Sequence, residues 1–356
     1  MKTSALLTAV IMASCAGLAA ESAGREVLPA KPGGRDVPAD VMTNIYREVQ
    51  TPFKYGVVIK GEGGKMVDSP SVFRHGGKWY MFHILFDGKG YETALAVSDD
   101  LLVWKTLGKV LPFREGAWDA VQAAGYAALQ DTAWGGSYAL ATHDGRYWMS
   151  YLGGKLKGYE ADPLMIGIAW ALDPTKPEPW TWLEAPVLTR DQPDCRAWEK
   201  LTQYKSNVIR EQAESLGYPF VMFYNAKTKS GYERIGMAVS KDMKTWLRYG
   251  SEPVIDNGSG LSGDPQVVRI GDVWVMFYFG AFFRPGAFDT FACSYDLVRW
   301  TKWTGEALVK SSEPWDSKYA HKPWVVKHGG VVYHFYNAVG DQGRVIALAT
   351  SQDLRK

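Results

Sequence analysis

The chain repeats itself, and the repeat restricts the folds that it can adopt. Segments of similar pattern begin at Pro70, Pro265 and Pro323, and the last two start 58 residues apart. A further copy begins near Asn207, again 58 residues before Pro265, and a more divergent one lies near residues 136–138. Self-similarity at this period is typical of proteins that stack one supersecondary unit several times. We therefore count five units.

Each unit has the pattern of short β-strands. Residues 221–224 and 275–278 are runs of aromatic and aliphatic residues bounded by Gly, Asp or Pro, which favours strands. Four strands with their turns fit in one unit, and radial stacking of such sheets protects their edges. An apolar content of 46% is ample for a buried core. The sequence therefore predicts an all-β fold, a five-bladed β-propeller.

The end of each unit carries a second signature, Ser-x-Asp-Leu/Met-x-x-Trp. It begins at Ser98, Ser240 and Ser294, and a truncated form begins at Ser351. An Asp side chain accepts backbone N–H groups at tight turns, and a Trp that follows packs between neighbouring sheets. We interpret this signature as structural rather than catalytic.

The N-terminal residues of the chain predict an exported protein. Residues 1–20 have the positive start, apolar run and small residues of a signal peptide. The alternative is a lipoprotein signal with a lipid anchor at Cys15. Residues 21–51 are polar, which predicts a leader that lies against the β-propeller domain of residues 52–356. We expect a secreted, periplasmic or outer-membrane-anchored bacterial protein without a membrane span.

Charge and cysteine content limit the partners further. A net charge of +2 argues against nucleic acid. Cys195 and Cys293 remain after export, where a disulfide is permitted, although Cys293 lies in a strand-like run that favours a buried thiol. None of the six histidines has the spacing of a zinc site, so no cofactor is expected. A central structural cation near His83 and His334 is the alternative left open.

Propeller geometry predicts which residues can meet. The start of the innermost strand and the loop between the second and third strands of each unit lie on one face, near the axis. Three of these loops read Gly-Tyr-Glu. Each side chain also has a structural explanation as a turn former or an ion-pair partner, but the combination provides the paired carboxylates that cleave glycosidic bonds. The candidates on this face are Asp68, Tyr91, Glu92, Glu160, Lys205, Glu233, Asp264, Asp289, His321, Lys322 and Arg344.

The repeated units, the Ser-x-Asp tails and the acidic residues at the strand starts carry a family resemblance. In these features the sequence resembles the five-bladed propeller glycoside hydrolases of families 43, 62 and 117 and, more distantly, those of families 32, 68 and 130. Family 43 carries its catalytic acids at inner-strand starts of the first, third and fourth blades. Asp68 and Asp264 match the first and fourth, whereas the third offers Lys205 instead of a carboxylate. Family 117 resembles the chain in another respect, because it pairs a first-blade Asp base with a histidine acid late in the chain, where His321 lies.

The resemblance implies a role for each candidate. Asp68 would be the general base, His321 or Glu233 the general acid, and Asp264 the group that holds the sugar or tunes the acid. A neighbouring carboxylate would raise the pKa of His321. Direct attack by water would invert the anomeric centre, with acid and base about 6.5–9.5 Å apart. The remaining candidates would contact substrate: Tyr91, Glu92, Glu160, Lys205, Asp289, Lys322 and Arg344.

The predicted function is an exported, exo-acting, inverting glycoside hydrolase that removes a terminal sugar from a plant or algal oligosaccharide. The cations Lys205, Lys322 and Arg344 suggest that the substrate is anionic, since fixed cations select carboxylates or phosphates. Two alternatives stay open. One is a phosphate-dependent phosphorylase that resembles family 130, and the other is a sugar-binding propeller without catalysis.

Overall fold

The computed structural model describes residues 25–355, so the predicted signal peptide and Cys15 lie outside the described residues. The fold of this part of the chain is nearly all β, with one α-helix, α1 (Ala39–Val49). Among residues 25–355, no helix is long and apolar enough to cross a membrane.

The strands follow one another as antiparallel meanders. In chain order they are β1 (Phe53–Ile59), β2 (Met66–His75), β3 (Lys78–Phe86), β4 (Tyr91–Ser98), β5 (Lys105–Leu111), β6 (Gln122–Ala127), β7 (Tyr147–Gly154), β8 (Met165–Ala171), β9 (Thr181–Trp182), β10 (Thr202–Arg210), β11 (Phe220–Lys227), β12 (Glu233–Ser240), β13 (Leu247–Arg248), β14 (Leu261–Ile270), β15 (Val273–Ala281), β16 (Ala287–Ser294), β17 (Thr301–Lys302), β18 (Val309–Lys310), β19 (Tyr319–His328), β20 (Val331–Gly340) and β21 (Gly343–Thr350).

These strands form five antiparallel units. Units 1 to 4 are β2–β5, β6–β9, β10–β13 and β14–β17, and β18 adds to unit 4 beside β16. Unit 5 has the order β19, β20, β21, β1, so its outermost strand comes from the start of the domain. Units 1 and 2 share a single parallel bridge between Tyr91 and Gln122. The innermost strands contact one another in chain order, and β19 also contacts β2.

The hydrophobic core lies between neighbouring units rather than within one layer. One cluster joins units 3 and 4 through residues such as Phe223 and Met276, and another joins units 5 and 1 through Phe335 and Met81. Trp148 of unit 2 is fully buried against unit 3. Because the apolar faces of each sheet are covered by the next sheet, a unit cannot bury its core alone.

The Ser-x-Asp tails are structural, as predicted. In unit 3, Ser240 Oγ accepts the N–H of Met243 at 3.0 Å, and Asp242 Oδ1 accepts the two N–H groups that follow. Trp246 is fully buried and donates its indole N–H to the Met243 carbonyl oxygen at 3.0 Å. Met243 has a φ of 65°, which the surrounding hydrogen bonds hold in place. The other two full copies make the same bonds.

The leader lies against the domain, but it also contains α1, which the sequence analysis did not predict. Met42, Ile45 and Val49 recur at helical spacing and are buried. They pack on Val275 and Phe291 of unit 4. Val41 and Tyr46 are partly buried against the same cluster, and the remaining residues of the helix are mostly polar. These scattered apolar positions were a weak signal beside the neighbouring prolines.

Unit 2 begins earlier than the sequence alignment placed it. Residues 136–138 lie in the loop between β6 and β7, and the innermost strand is β6. This strand is mostly Ala and Gly, which lack the branched and aromatic pattern of its counterparts. Gly125 is required by packing, because a Cβ there would come within 2.3 Å of Met149 Sδ. The small residues therefore let β6 pack closely against β7. For the same reason, the sequence analysis did not recognise β6 as a strand.

Cys195 and Cys293 are both buried and both free. Cys293 lies in β16, as the buried-thiol interpretation expected. The disulfide alternative does not hold in this structure.

Candidate active site

Four of the five innermost strands are bulged at the same point, where each enters the site. The register of β2, β10, β14 and β19 with its neighbour shifts at this position. Ser69, Lys205, Asp264 and Lys322 lie at the bulges with φ values of 43°, 41°, 51° and 66°. Positive φ in residues other than Gly costs about 1–3 kcal/mol each and persists where surrounding contacts hold it. A bulge re-aims its side chain, and here it brings opposite charges together.

The charged side chains at and beside these bulges, together with Glu160 from the loop before β8, form a chain of alternating charge. Lys322 Nζ lies 2.8 Å from Asp68 Oδ2 and 2.9 Å from Glu160 Oε1. Lys205 Nζ also pairs with Glu160, and it lies 3.5 Å from Asp264 Oδ2. All five side chains are largely buried. The cations therefore neutralise neighbouring carboxylates, which leaves no cation among these side chains unpaired for an anionic substrate.

Asp68 lies at one end of this network, with 1% of its surface exposed. Oδ1 accepts the N–H of Ser69 at 2.7 Å, and Oδ2 accepts the hydroxyl of Tyr159 at 2.6 Å. Arg344 Nη1 approaches the same Oδ2 at 3.4 Å. Burial acts to raise the pKa of Asp68, but the charges of Lys322 and Arg344 outweigh it and hold the pKa well below its usual range. Asp68 is therefore an ionised carboxylate with both oxygens occupied.

A cavity of about 140 Å³ opens above this network. Six of the predicted residues line it: Glu160, Lys205, Glu233, His321, Lys322 and Arg344. The structure thus brings most of the predicted face together. Asp68 lies deeper, and Asp264 borders a smaller cavity together with Ser69 and Tyr126. Burial raises the pKa of Asp264.

The other three predicted substrate contacts lie outside the cavity. Tyr91 is fully buried with its ring edge-on to Tyr159, at 5.4 Å between centroids. Glu92 pairs with Lys109 at 2.5 Å. Asp289 is fully buried and bonded to His334 Nε2 at 3.0 Å. Their positions in the sequence are those predicted, but their side chains turn into the protein instead of toward the cavity.

Asp289 and His334 form a buried pair. Burial raises the pKa of Asp289 well above its usual value and lowers the pKa of His334 to about 3. Burial therefore favours the uncharged form of both partners. Among residues 25–355, no cluster of three or more His, Cys, Asp or Glu side chains is placed to hold a metal ion.

Glu233 is the cavity carboxyl with the most unusual protonation. Burial raises its pKa from 4.5 to about 7, and the charge of Glu160 adds to the rise, although Lys227 opposes it from 3.8 Å. Glu233 lies at the start of β12, directly after the Gly-Tyr turn. A carboxyl that is still partly protonated near neutral pH can donate a proton to a leaving group.

Glu160 has the opposite protonation. Burial acts to raise its pKa, but Lys205 and Lys322 outweigh this effect, and the pKa lies below the usual range. Its side chain keeps 14% exposure and lines the cavity. The cavity therefore presents one carboxyl group that is partly protonated near neutral pH and one that is ionised, which is the arrangement that acid–base cleavage needs.

His321 differs from the prediction in its charge. Its Nδ1 lies 3.2 Å from the Asn337 carbonyl oxygen, so Nδ1 carries the hydrogen and Nε2 is a free acceptor. Burial, together with Lys322 and Arg344, holds the pKa of His321 well below its usual value. The expected rise in pKa is reversed because burial and the neighbouring cations outweigh the charge of Asp68. A neutral histidine can accept a hydrogen bond but is a poor proton donor near pH 7.

Two kinds of site residue were missed by the sequence analysis. Tyr159 was treated as part of a turn, yet its hydroxyl bonds Asp68 and lies 3.0 Å from Lys322 Nζ. Phe282 and Tyr319 line the cavity mouth with 65% and 38% of their surfaces exposed. The repeated Gly-Tyr-Glu was a signal for Tyr159, whereas the aromatic rim could not be separated by sequence from core residues.

Solved structures of other proteins resemble this protein over most of its length. Two structures, one described as a complex of BT0996 with RGII and one as a glycoside hydrolase, are each 47% identical to this protein. Each superposes with a TM-score of 0.86, over 89% of this protein and 96% of the relative. The chain therefore belongs to the glycoside hydrolases. It is thus an enzyme that acts on glycans, and BT0996 is one of its relatives.

More distant structures share the fold. A thermostable family-43 glycoside hydrolase is 14% identical, with a TM-score of 0.61 over 83% of this protein and 91% of that enzyme. The family-117 enzyme Zg3597 of Zobellia galactanivorans is 15% identical, with a TM-score of 0.61 over 85% and 91%. No protein-family model and no curated protein sequence matches the chain.

Proposed function

We propose that the protein is an exported, exo-acting, inverting glycoside hydrolase built as a five-bladed β-propeller. The ring of blades is supported by the contacts of β19 with both β14 and β2, and by the placement of β1 in unit 5. Export rests on the pattern of residues 1–20. The observation that carries the proposed chemistry is the pair of Glu233 and Glu160, whose surroundings move their pKa values apart in one cavity.

Glu233 is the proposed general acid. Its proton passes to the glycosidic oxygen as the bond from that oxygen to the anomeric carbon breaks, so the leaving group departs as a neutral alcohol. His321 was the other candidate, but its low pKa leaves too little imidazolium near neutral pH. We propose that His321 Nε2 accepts a hydrogen bond from a sugar hydroxyl.

Glu160 is the proposed general base in place of Asp68. It takes a proton from the water that attacks the anomeric carbon from the face opposite the leaving group, which inverts the centre. Glu160 reaches the cavity, whereas Asp68 is 1% exposed with both oxygens bonded. Asp68 then orients Tyr159 and Lys322 behind the reacting groups.

The small volume of the cavity supports exo action. Ligand pockets usually measure about 300–1,000 Å³, and about 140 Å³ leaves room for little more than one sugar ring. Phe282 and Tyr319 stand at the opening, where an aromatic ring can cover the apolar face of the next sugar. A terminal residue would enter, and the rest of the glycan would stay outside.

The relative in complex with RGII supports a glycan as the substrate. The cations of the cavity are neutralised by Asp68, Glu160 and Asp264, so we propose an uncharged terminal sugar. Neither the uronate predicted from these cations nor the phosphate of a phosphorylase finds an unpaired cation among them. Because a phosphorylase would need an unpaired cation to bind phosphate, we favour hydrolysis over phosphorolysis.

A product screen tests the proposal. The enzyme would be incubated with branched plant and algal oligosaccharides, with and without phosphate, and the anomer released would be followed by proton NMR. We expect one monosaccharide, initially of inverted configuration, with no need for phosphate, and no release by Glu233→Ala or Glu160→Ala. Release of internal fragments would refute exo action, and retention of configuration would refute the assigned roles.

A further inference from the structure

A second, larger cavity lies at the other end of the innermost strands. It measures about 820 Å³ and is bordered by Arg210 at the end of β10 and Arg269 near the end of β14. Lys205 and Asp264 of the active site stand five residues earlier on the same two strands. At about 3.3 Å per residue, the two sites are about 17 Å apart. A ligand in this cavity does not touch the reacting groups.

The two arginines of this cavity are oriented but not neutralised. The guanidinium of Arg210 lies 5.2 Å from the centre of the Phe220 ring, and that of Arg269 lies 5.0 Å from the centre of the Trp274 ring. Arg269 Nε donates only to the Gly271 carbonyl oxygen, at 3.3 Å. Within residues 25–355, neither guanidinium forms an ion pair with Asp or Glu. Stacking fixes the plane of each fork and leaves N–H donors for a ligand.

The acidic side chains of the cavity form their hydrogen bonds within their own loops. Asp131 accepts the N–H and hydroxyl of Ser137 at 2.9 and 2.6 Å. Glu211 is buried and accepts the N–H groups of Ala213 and Ser215 at 3.0 and 2.5 Å. Neither carboxylate is paired with the two arginines, whose N–H donors stay available.

The rest of the cavity wall combines short side chains, among them Ala133, Ala139 and Ala213, with larger apolar ones such as Leu140 and Ile270. The volume of the cavity lies within the usual range of about 300–1,000 Å³ for ligand sites. Planar forks that lack carboxylate partners match a carboxylate through two parallel hydrogen bonds. An enzyme of this family handles glycans, so a carboxylate on a sugar ring is the ligand that fits both facts.

We propose that this cavity, which we call the rear site, binds a uronic-acid segment of a glycan and holds polymeric substrate on the enzyme. The active site would then act on a neutral terminal sugar while the rear site holds an acidic part of the same or a neighbouring glycan. Such tethering raises the local concentration of substrate without any new contact at the reacting bond. The rear site is independent of the roles assigned to Glu233 and Glu160.

The test uses trigalacturonic acid as the probe and its fully methyl-esterified form as the uncharged control. Binding to the full-length protein would be measured by titration calorimetry at low and raised salt. We expect the acid to bind, the affinity to fall as salt rises, and the ester to bind about tenfold or more weakly, because each charged hydrogen bond contributes at least about 1.5 kcal/mol.

Substitutions at the rear site test whether the acid binds there. Arg210→Gln combined with Arg269→Gln should weaken binding of the acid about tenfold or more. The matched control is Arg146→Gln, since Arg146 also stacks on an aromatic ring, 4.2 Å from the centre of the Trp170 ring, but lies outside the rear site. Turnover of a short neutral substrate should be unchanged in all of these variants. The single variant Arg269→Gln, at an exposed side chain, keeps the test available if the double variant fails to fold.

Three results would overturn the proposal. They are no measurable binding of the acid, equal binding of the acid and its ester, and binding that survives loss of the arginines at the rear site. Loss of binding in Glu233→Gln but not in the arginine variants would place the acid in the active site instead, which also refutes the rear site while leaving the proposed hydrolysis intact.

Discussion

Glu233→Gln is the substitution that most directly tests the proposed chemistry. A rise in pKa from 4.5 to about 7 corresponds to about 3 kcal/mol in favour of the protonated carboxyl. A positioned general acid contributes about 10²–10⁴ to the rate, or about 3–5 kcal/mol of transition-state stabilisation. Gln keeps the size and polarity of the side chain but has no acidic proton. We therefore expect kcat/KM to fall about 10²–10⁴-fold with little effect on folding.

The pH profile gives the sign of the effect. Because the acid must be protonated, kcat/KM of the native enzyme should fall as the pH rises through about 7. Glu160 stays ionised across the neutral range, since cations hold its pKa low, so the base does not limit activity there. In Glu233→Gln the decline near pH 7 should disappear.

The assay compares two substrates. A glycoside with a poor alcohol leaving group needs the acid, whereas an aryl glycoside with a good leaving group needs it little, so the second should lose far less activity in Glu233→Gln. Glu92→Gln is the matched control, because Glu92 follows the same Gly-Tyr turn but lies outside the cavity. Equal losses on both substrates, or a decline near pH 7 that persists without Glu233, would refute the assignment.

Other substitutions test the supporting structure. Asp68→Asn should lower the free energy of unfolding by about 3–5 kcal/mol in denaturant titrations, because Lys322 loses a buried partner. Since the pKa of Asp68 is depressed, this stabilisation should be complete above about pH 4 and should fade as the pH falls further. A variant as stable as the native protein would contradict this expectation. Glu160→Gln should abolish turnover of both substrates equally, unlike Glu233→Gln, because the base acts on water and not on the leaving group; steady-state kinetics on the two would show it. Ile45→Ala in α1 should cost about 2–5 kcal/mol in the same titrations, and no loss would mean that the helix does not stabilise the domain.

The repeating fold could be predicted from sequence because it depends on local patterns. Strand runs and Ser-x-Asp tails recur along the chain, and Asp242 and Trp246 make the predicted bonds within a few residues of each other. Unit 2 was misplaced because β6 is built from Ala and Gly, which carry no strand signature. α1 was missed because its stability comes from unit 4, far away in the sequence.

The sequence predicted six residues that line the cavity, but not which of the other side chains would be buried behind it or outside it. Loop and strand positions placed Glu160 and Glu233 on one face, and the structure brings them into one cavity. Whether a side chain faces the cavity depends on bulges that rotate it, and Asp68 was turned behind Lys322 in this way. The pKa of His321 depends on its burial and on cations that include Arg344 and Lys205 from distant segments, which a linear sequence does not reveal.

The pairing of β1 with β21 has a consequence for synthesis in the cell. β1 leaves the ribosome early, but its hydrogen-bonding partner follows about 280 residues later. At about 5–20 residues per second, this delay is roughly 15–60 s. Throughout that interval β1 exposes an unpaired edge that other extended chains can bind. The nascent protein thus has a long window of vulnerability to aggregation, which ends only when its final strand emerges.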